Sequence, residues 1–163
     1  MFFSATIAAA FVVNDPVEAV EIGLTEIPYN CRLAKVVKQT LKWCEKDENW
    51  ETTVNRILAR FKGMSEAHTL NNAALTVAGL IYGGNDFERT ICLTVMSGLD
   101  TDCTAATAGS ISGAILGIKK MPAKWKNPLG NKVETYLNGK HVFYSDTLVK
   151  RFMKVTLKII KGG

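Results

Sequence analysis

Apolar residues recur at spacings of three and four between residues 14 and 61, the spacing that places them on one face of an α-helix. The segment NDPVEAVEIGL has a possible cap at Asn14 or Asp15, with Pro16 in its first turn, which predicts a helix start. The segments NCRLAKVVKQTLKWCEK and NWETTVNRILARF show the same periodicity. Their apolar positions are Leu33, Val36, Val37, Leu41, Cys44, Val54, Ile57, Leu58 and Phe61. Three amphipathic helices are therefore predicted, with these apolar faces in the core.

Other segments lack a polar face. AALTVAGLIYGG is apolar all round and predicts a central helix that ends at Gly83 and Gly84, and residues 1–13 predict another buried helix. NDFERTICLTVMSG begins with Asn85 and has Glu88 three residues later, a possible capping box, and ends at Gly98. The fold class predicted from these segments is all-α.

The last 45 residues differ from the rest in regularity and in charge. Residues 119–163 carry 11 basic and 2 acidic side chains, whereas residues 1–118 carry 9 basic and 13 acidic ones. Turn-forming residues interrupt this tail, KHVFY could form a short strand, and a helix is expected from about Ser145. With 163 residues and 47% hydrophobic content, the chain predicts one domain over 1–163, of which 119–163 is a basic, less regular tail.

Composition also argues against several protein classes. The most apolar segments, 1–13 and 105–118, are shorter than the roughly 20 residues that cross a bilayer, and no basic region precedes the first. The cysteines lack the spacing of a zinc site, and nothing demands an oxidising compartment. We therefore expect a cytoplasmic protein without a membrane span. The lysines of the tail form either a solvated surface or a patch for an anion such as nucleic acid, and the first is favoured because no nucleic-acid motif accompanies them.

The stretch MSGLDTDCTAATAGSISGAILG sets Asp100 and Asp102 directly before a helix of small residues. Small residues recur every four positions from Ala105 to Gly117, so a neighbouring helix can approach closely. Aspartates at a helix start can cap it, although one is enough. If LDTD is extended, both carboxylates project to one side and could bind Mg²⁺ or Mn²⁺. The residues alone leave capping and metal binding open.

Three blocks in order, AAAFVVNDPVEAVEIGLTEIPYNCRLA, HTLNNAALTVAGLIYGGND and FERTICLTVMSGLDTDCTAATAGSISGAILG, resemble the C-terminal half of the ADP-ribosylglycohydrolase family. The resemblance runs from about Phe3 to about Leu129, and DTD with its AATAG continuation is its most specific part. It implies a multi-helix orthogonal bundle, here incomplete at the N-terminus. It also implies a centre of two Mg²⁺ ions, with Mn²⁺ possible, that orients the ribose of an ADP-ribosyl group while its N- or O-glycosidic bond is hydrolysed.

Carried onto this sequence, the family motif makes Asp100 and Asp102 metal ligands. The resemblance also implies a substrate-binding role for five residues, which are His68, Asn71, Gly98, Thr101 and Cys103. Of these, Cys103 stands where the family often has a hydroxyl residue, and a thiol is a poor ligand for Mg²⁺.

Family members are usually longer, and their N-terminal portion carries an aspartate cluster that no motif replaces here. The chain is therefore expected to supply half of an active site and to be inactive alone, with the general acid or base outside it. The missing half would lie on an N-terminal partner chain or in a portion that this sequence does not include. The alternatives are a non-catalytic module that binds ADP-ribose, a nucleotide sugar or a partner protein, and a basic protein that binds nucleic acid through residues 119–163. Apolar surface left by missing helices predicts homo-oligomers, with residues 1–13 as the contact face.

Overall fold

The computed structural model describes residues 1–139 and 141–162, which fall into two compact units, Met1–Met121 and Pro122–Gly163. The first unit consists of α1 (Phe2–Ala10), α2 (Pro16–Thr25), α3 (Arg32–Lys46), α4 (Trp50–Arg60), α5 (Thr69–Gly83), α6 (Phe87–Met96) and α7 (Thr101–Lys120). The second consists of α8 (Ala123–Lys126), a 3-10 turn (Asn127–Leu129), β1 (Lys132–Glu134), β2 (Val142–Tyr144) and α9 (Ser145–Gly162). The predicted all-α class is confirmed, while the prediction of a single domain stays a prediction.

Helix α5 is the centre of the first unit, as its uniformly apolar sequence predicts. Every residue from Leu70 to Leu80 is buried, and the helix contacts α2, α3, α4, α6 and α7. One apolar cluster joins it to α1, α2, α3 and α7, and a second joins it to α3 and α4. The amphipathic helices therefore bury their apolar stripes as predicted, although Leu58 of α4 is 36% exposed.

The structure shows which residue caps α2 and α6 at their N-termini. Asp15, and not Asn14, caps α2, because its carboxylate accepts the N–H of Val17 at 3.0 Å. The predicted capping box of Asn85 and Glu88 is wrong. Asp86 caps α6 instead, since its side chain accepts the N–H of Arg89 at 2.9 Å.

Close helix packing is found at two places. Helix α5 approaches α6 at Gly79 and Gly83, which face Thr94 and Thr90 respectively. The small-residue stripe of α7 also lies against α6, but it is shorter than predicted. Gly117 has φ +69°, so a kink interrupts the regular helix of α7 at this residue. The small-residue stripe therefore packs α7 against α6 over a shorter length than the sequence predicts.

In the second unit, β1 and β2 form an antiparallel pair with Lys132 opposite Tyr144. The predicted KHVFY strand corresponds to β2, and its first residue, Lys140, lies outside the described residues. Helix α9 begins at Ser145 as predicted. Its start is fixed by Asn131, whose side chain accepts the N–H of Asp146 and donates to the Asp146 carboxylate.

Residues 1–13 were predicted to be a buried helix and a face for self-association. Helix α1 packs against α2 and α7, and Phe2, Ala9 and Ala10 are buried within the first unit. Phe11 and Val12 are exposed at its end. Homo-oligomer formation stays a prediction. Within the described ranges, no helix is both long and apolar enough to cross a membrane.

Candidate metal centre

The turn between α6 and α7 positions the two aspartates. After Ser97 the chain passes through two successive residues with positive φ, Gly98 at +79° and Leu99 at +60°. A left-handed conformation costs a residue with a side chain about 1–2 kcal/mol, so surrounding contacts must stabilise it at Leu99. The Leu99 side chain packs against the second apolar cluster. This contact fixes the direction in which Asp100 leaves the turn.

Asp100 and Asp102 do not lie in an extended segment, so the condition under which both carboxylates would project to one side is not met. The left-handed turn precedes Asp100, so α7 begins directly after it, and Asp102 lies within the first helical turn. Asp100 occupies the N-cap position, yet its carboxylate makes no capping hydrogen bond. Even so, ligand atoms of Asp100, Asp102 and Cys103 all lie within 4.8 Å of one another. Capping therefore does not account for the Asp100 side chain, and a cluster that could hold a cation remains.

Electrostatic interactions tie the three side chains together. A hydrogen bond with the Asp100 side chain lowers the pKa of Asp102, and the backbone N–H groups of Asp102 and Cys103 lower it further. The pKa of the Cys103 thiol is raised, first by its hydrogen bond to Asp100 and then by the charges of both aspartates. The thiol therefore stays protonated at neutral pH, where it donates to Asp100.

A cavity of about 180 Å³ adjoins Asp100. Its floor includes Thr104, a buried residue whose hydroxyl donates to the backbone carbonyl of Asp100 at 3.0 Å. The walls come from α1, the start of α5 with the residue before His68, and the first two turns of α7. The lining residues are Phe3, Ala67, Thr69, Asn72, Ala73, Thr76, Asp100, Cys103, Thr104 and Thr107.

Asn72 is the buried polar side chain of this cavity whose bonding is incomplete. It is only 9% exposed, and its amide nitrogen donates to the Glu66 carbonyl at 2.8 Å. Its side-chain oxygen is buried without a hydrogen-bond partner among the described residues. An unsatisfied buried oxygen costs about 1–3 kcal/mol of stability. A cation, or a ligand that donates a hydrogen bond to this oxygen, would therefore be stabilising here.

The structure brings some of the predicted site residues together and separates others. Asp100 and Cys103 line the cavity, Asp102 joins them in the cluster, and Gly98 and Thr101 flank Asp100 along the chain. His68 and Asn71 are absent from the lining, and both act on the backbone. His68 caps α5 by accepting the N–H of Leu70 at 3.1 Å, and buried Asn71 donates to Ser65 at 3.0 Å. Their role in substrate binding stays a prediction.

The threonines and the asparagine of the cavity are not among the site residues predicted from the sequence. Thr69, Asn72 and Thr76 are three and four residues apart, so they follow one face of α5. Polar residues at that spacing in an otherwise apolar, buried helix were the signal that could have identified them. Thr104 and Thr107 continue the same polar lining on α7.

Comparison with known proteins gives the cluster a family context. The family model for ADP-ribosylglycohydrolase matches residues 1–156, so the chain belongs to the ADP-ribosylglycohydrolase family. It is 27% identical over 119 residues to ADP-ribosylhydrolase ARH3 of Mus musculus, covering 72% of this chain and 32% of that protein. It is 34% identical over 74 residues to ADP-ribosyl-[dinitrogen reductase] glycohydrolase of Rhodospirillum rubrum, covering 45% of this chain and 25% of that protein.

The chain thus aligns with about a third or less of the length of these curated relatives. The protein named ADP-ribosylhydrolase ARH3 of Homo sapiens gives the same picture, with 26% identity over 119 residues, 72% of this chain and 33% of that protein. No solved structure matches the chain significantly.

Proposed function

We propose that this member of the ADP-ribosylglycohydrolase family contributes the Asp100 and Asp102 half of a Mg²⁺-dependent site that removes ADP-ribosyl groups by hydrolysing an N- or O-glycosidic bond. One observation carries the proposal. The Asp100 carboxylate is the N-cap side chain of α7 but does not cap it, and it lies at a cavity with the Asp102 carboxylate within 4.8 Å. The names of the relatives support the reaction class.

The donor atoms suit a hard cation. Mg²⁺ prefers oxygen ligands and is usually bound by one or two carboxylates together with water molecules, which corresponds to Asp100 and Asp102. Asn72 supports the fit, because it lines the adjoining cavity and its buried side-chain oxygen has no hydrogen-bond partner among the described residues. The protonated Cys103 thiol does not suit Mg²⁺, so the two carboxylates are the ligands that we assign to this chain. Mn²⁺ would fit the same oxygens.

When bound, the metal would supply charge that orients and polarises the ribose of the substrate. The chain's own residues perform the surrounding tasks. Thr104 anchors the backbone of Asp100, and Leu99 sets the direction of that residue through its packing. The hydroxyl groups of Thr69 and Thr107 and the oxygen of Asn72 offer hydrogen bonds to sugar hydroxyl groups.

The size of the cavity indicates how much of the substrate this chain can enclose. At about 180 Å³ it is smaller than the roughly 300–1,000 Å³ of sites that enclose drug-sized ligands. An ADP-ribosyl group would therefore need further walls, and the two carboxylates would need further ligands. We propose that residues outside 1–163, on an N-terminal partner chain or in a further portion of the same protein, supply both together with the general acid or base, and that residues 1–163 alone are inactive.

Calorimetric titration with Mg²⁺ and with Mn²⁺, in the presence of ADP-ribose, tests the half-site. We expect saturable binding to the chain that is lost in the Asp100→Ala, Asp102→Ala double variant. Asp86→Ala is the matched control, because it removes an exposed carboxylate that does cap its helix, and it should retain binding. Absence of binding to the folded chain, or binding unchanged in the double variant, would refute the proposal.

A second candidate is a non-catalytic module that binds ADP-ribose. Among the described residues that line the cavity, Asp100 is the single acidic one. Hydrolysis of a glycosidic bond normally uses a further group as acid or base, so this lining favours the non-catalytic module. Adding the N-terminal portion of a longer relative separates the two candidates. Hydrolysis of an ADP-ribosylated protein by the mixture supports the enzyme, whereas ADP-ribose binding without turnover supports the module.

A further inference from the structure

Helix α9 presents a wide apolar face to solvent. At 100° per residue, its large apolar side chains fall within an arc of about 200°. Phe152 is 70% exposed and Ile159 is 69% exposed, and the other residues on this side are also largely uncovered. Phe143 of β2 joins Leu148, Phe152 and Val155 around a groove of about 330 Å³, with Arg151 at its basic edge, so the apolar surface continues onto the hairpin. The remaining exposed apolar residues of the helix are Val149, Met153, Leu157 and Ile160.

The opposite side of α9 is basic. The five cationic residues of the helix fall within an arc of about 100°, and Asp146, in the first turn, is its single acidic residue. Lys154 is four residues from a lysine in each direction, and like charges at this spacing destabilise a helix. Asp146 offsets the charge of Lys150 only. The helix therefore has an apolar face that is not covered and an excess of positive charge. Its five cationic residues are Lys150, Arg151, Lys154, Lys158 and Lys161.

We propose that α9 binds the surface of a membrane that contains anionic lipids, with the helix axis parallel to the membrane plane. A wide apolar face, a lysine-rich polar face and an aromatic residue on the apolar side characterise helices that lie in the lipid interface. The apolar side chains would enter the boundary between headgroups and acyl chains. The lysine stems would extend along the apolar boundary while their ammonium groups reach the lipid phosphates.

Other binding partners would match only one of the two sides of α9, either the apolar or the basic one. Nucleic acid would neutralise the lysines but would leave Phe152 and Ile159 in water. A protein groove or a second copy of the chain would cover the apolar face but would make no use of the cations on the other side. An anionic interface meets both requirements at once. The cytoplasmic face of cell membranes is the anionic one, which agrees with the cytoplasmic location predicted from the sequence. This inference is independent of the hydrolase proposal.

Vesicle co-sedimentation of the full chain tests the proposal. The probes are vesicles of phosphatidylcholine alone and of an equal mixture of phosphatidylcholine and phosphatidylserine. We expect strong binding to the mixed vesicles, weak binding to the neutral ones, and slower hydrogen exchange in residues 145–162 on binding. Each lysine near an anionic surface is worth about a fivefold change in affinity. The Lys154→Gln, Lys158→Gln variant should therefore bind at least about tenfold more weakly.

Two further variants identify the contribution of each face. Lys35→Gln, Lys62→Gln is the matched charge control, because it removes two exposed lysines outside α9, and it should bind like the unaltered chain. Phe152→Glu, Ile159→Glu places acids on the exposed apolar face and should abolish vesicle binding while the helical circular dichroism signal stays unchanged.

Several results would overturn the proposal. Vesicle binding that survives Phe152→Glu, Ile159→Glu would mean that the apolar face is not used. Equal binding to neutral vesicles would exclude recognition of charge. Binding to a DNA duplex without vesicle binding would assign the lysines to nucleic acid. A dimer in light scattering that becomes monomeric in the same double variant, again without vesicle binding, would assign the face to a second copy.

Discussion

Gly79 of α5 lies so close to Thr94 of α6 that a Cβ atom at Gly79 would collide with the Thr94 hydroxyl oxygen and would lie 3.2 Å from its backbone Cα. Since part of that contact is backbone, α6 must shift to admit even one methyl group. We expect Gly79→Ala to lower the free energy of unfolding by about 2 kcal/mol. Overpacking costs up to about 3 kcal/mol, and alanine returns about 1 kcal/mol of helix propensity. Urea unfolding measures the difference.

Gly113→Ala in α7 is the matched control for this prediction. A Cβ atom there would meet the terminal methyl of Met121 at 3.3 Å, and a flexible methionine tip can move aside. The propensity gain should then make Gly113→Ala neutral or stabilising by up to about 1 kcal/mol. Equal destabilisation by the two substitutions would mean that the contact between α5 and α6 is looser than the structure indicates.

Cys44 and Cys92 should differ sharply in reactivity. Burial, followed by the charge of Asp47, raises the pKa of the Cys44 thiol to about 12, while Cys92 is exposed. Because the thiolate is the reactive form, raising the pKa from 9.0 to about 12 lowers its population at pH 8 by about a thousandfold. Iodoacetamide should label Cys92 in the native chain and should label Cys44 only after denaturation, as peptide mass spectrometry would show.

The high pKa of Cys44 also fixes the sign of a pH effect. The folded state keeps the proton that the unfolded thiol loses, so this contribution to stability is complete below pH 9 and declines as the pH rises towards about 12. Asp47→Asn removes only the second cause, and it should therefore accelerate Cys44 labelling much less than denaturation does. Rapid labelling of Cys44 in the native chain would contradict the burial of this thiol.

Helix type and burial were predictable because the apolar period is strong in the first unit. AALTVAGLIYGG has no polar face, and α5 is accordingly buried on every side. The helix caps were less predictable, since Asn14, Asp15, Asn85 and Asp86 can all cap a helix. Only the backbone geometry at each start selects Asp15 and Asp86.

The aspartate pair was predictable as a cluster but not in its geometry. The left-handed turn at Gly98 and Leu99 starts α7 one residue after Asp100, and no local propensity indicates that a leucine adopts φ +60°. That conformation depends on the packing of Leu99 in the second apolar cluster, which is a tertiary contact. Asn72 was missed because its importance depends on an oxygen left without a partner, a feature that only the three-dimensional structure reveals.

Asn72 and Asn71 should separate ligand binding from stability. Asn72→Ala removes an oxygen that has no partner among the described residues, which is stabilising, together with one hydrogen bond to Glu66, which is destabilising. The two effects offset each other, so stability should change by no more than about 1 kcal/mol. The substitution should also weaken binding of ADP-ribose with Mg²⁺ about fivefold, the value of one hydrogen bond. Calorimetry and urea unfolding of the same samples measure both quantities.

Asn71→Ala is the comparison for that prediction. Asn71 is 1% exposed and makes two hydrogen bonds, to the Ser65 carbonyl and from the N–H of Asn72, so its loss should cost about 2–3 kcal/mol. Ligand affinity of the fraction that is folded should change less than in Asn72→Ala. A larger loss of affinity in Asn71→Ala would support the role in substrate binding predicted from the sequence.

Leu99 permits a test of backbone strain beside the candidate metal ligands. At most positions a protein is about 1 kcal/mol less stable with glycine than with alanine, because glycine loses more conformational entropy on folding. At φ +60° the order should reverse, since alanine keeps the left-handed penalty of about 1–2 kcal/mol and glycine does not. Both substitutions lose the same packing against the second apolar cluster. We expect Leu99→Gly to unfold at a higher urea concentration than Leu99→Ala, and the opposite order would show that residue 99 does not hold a positive φ in solution.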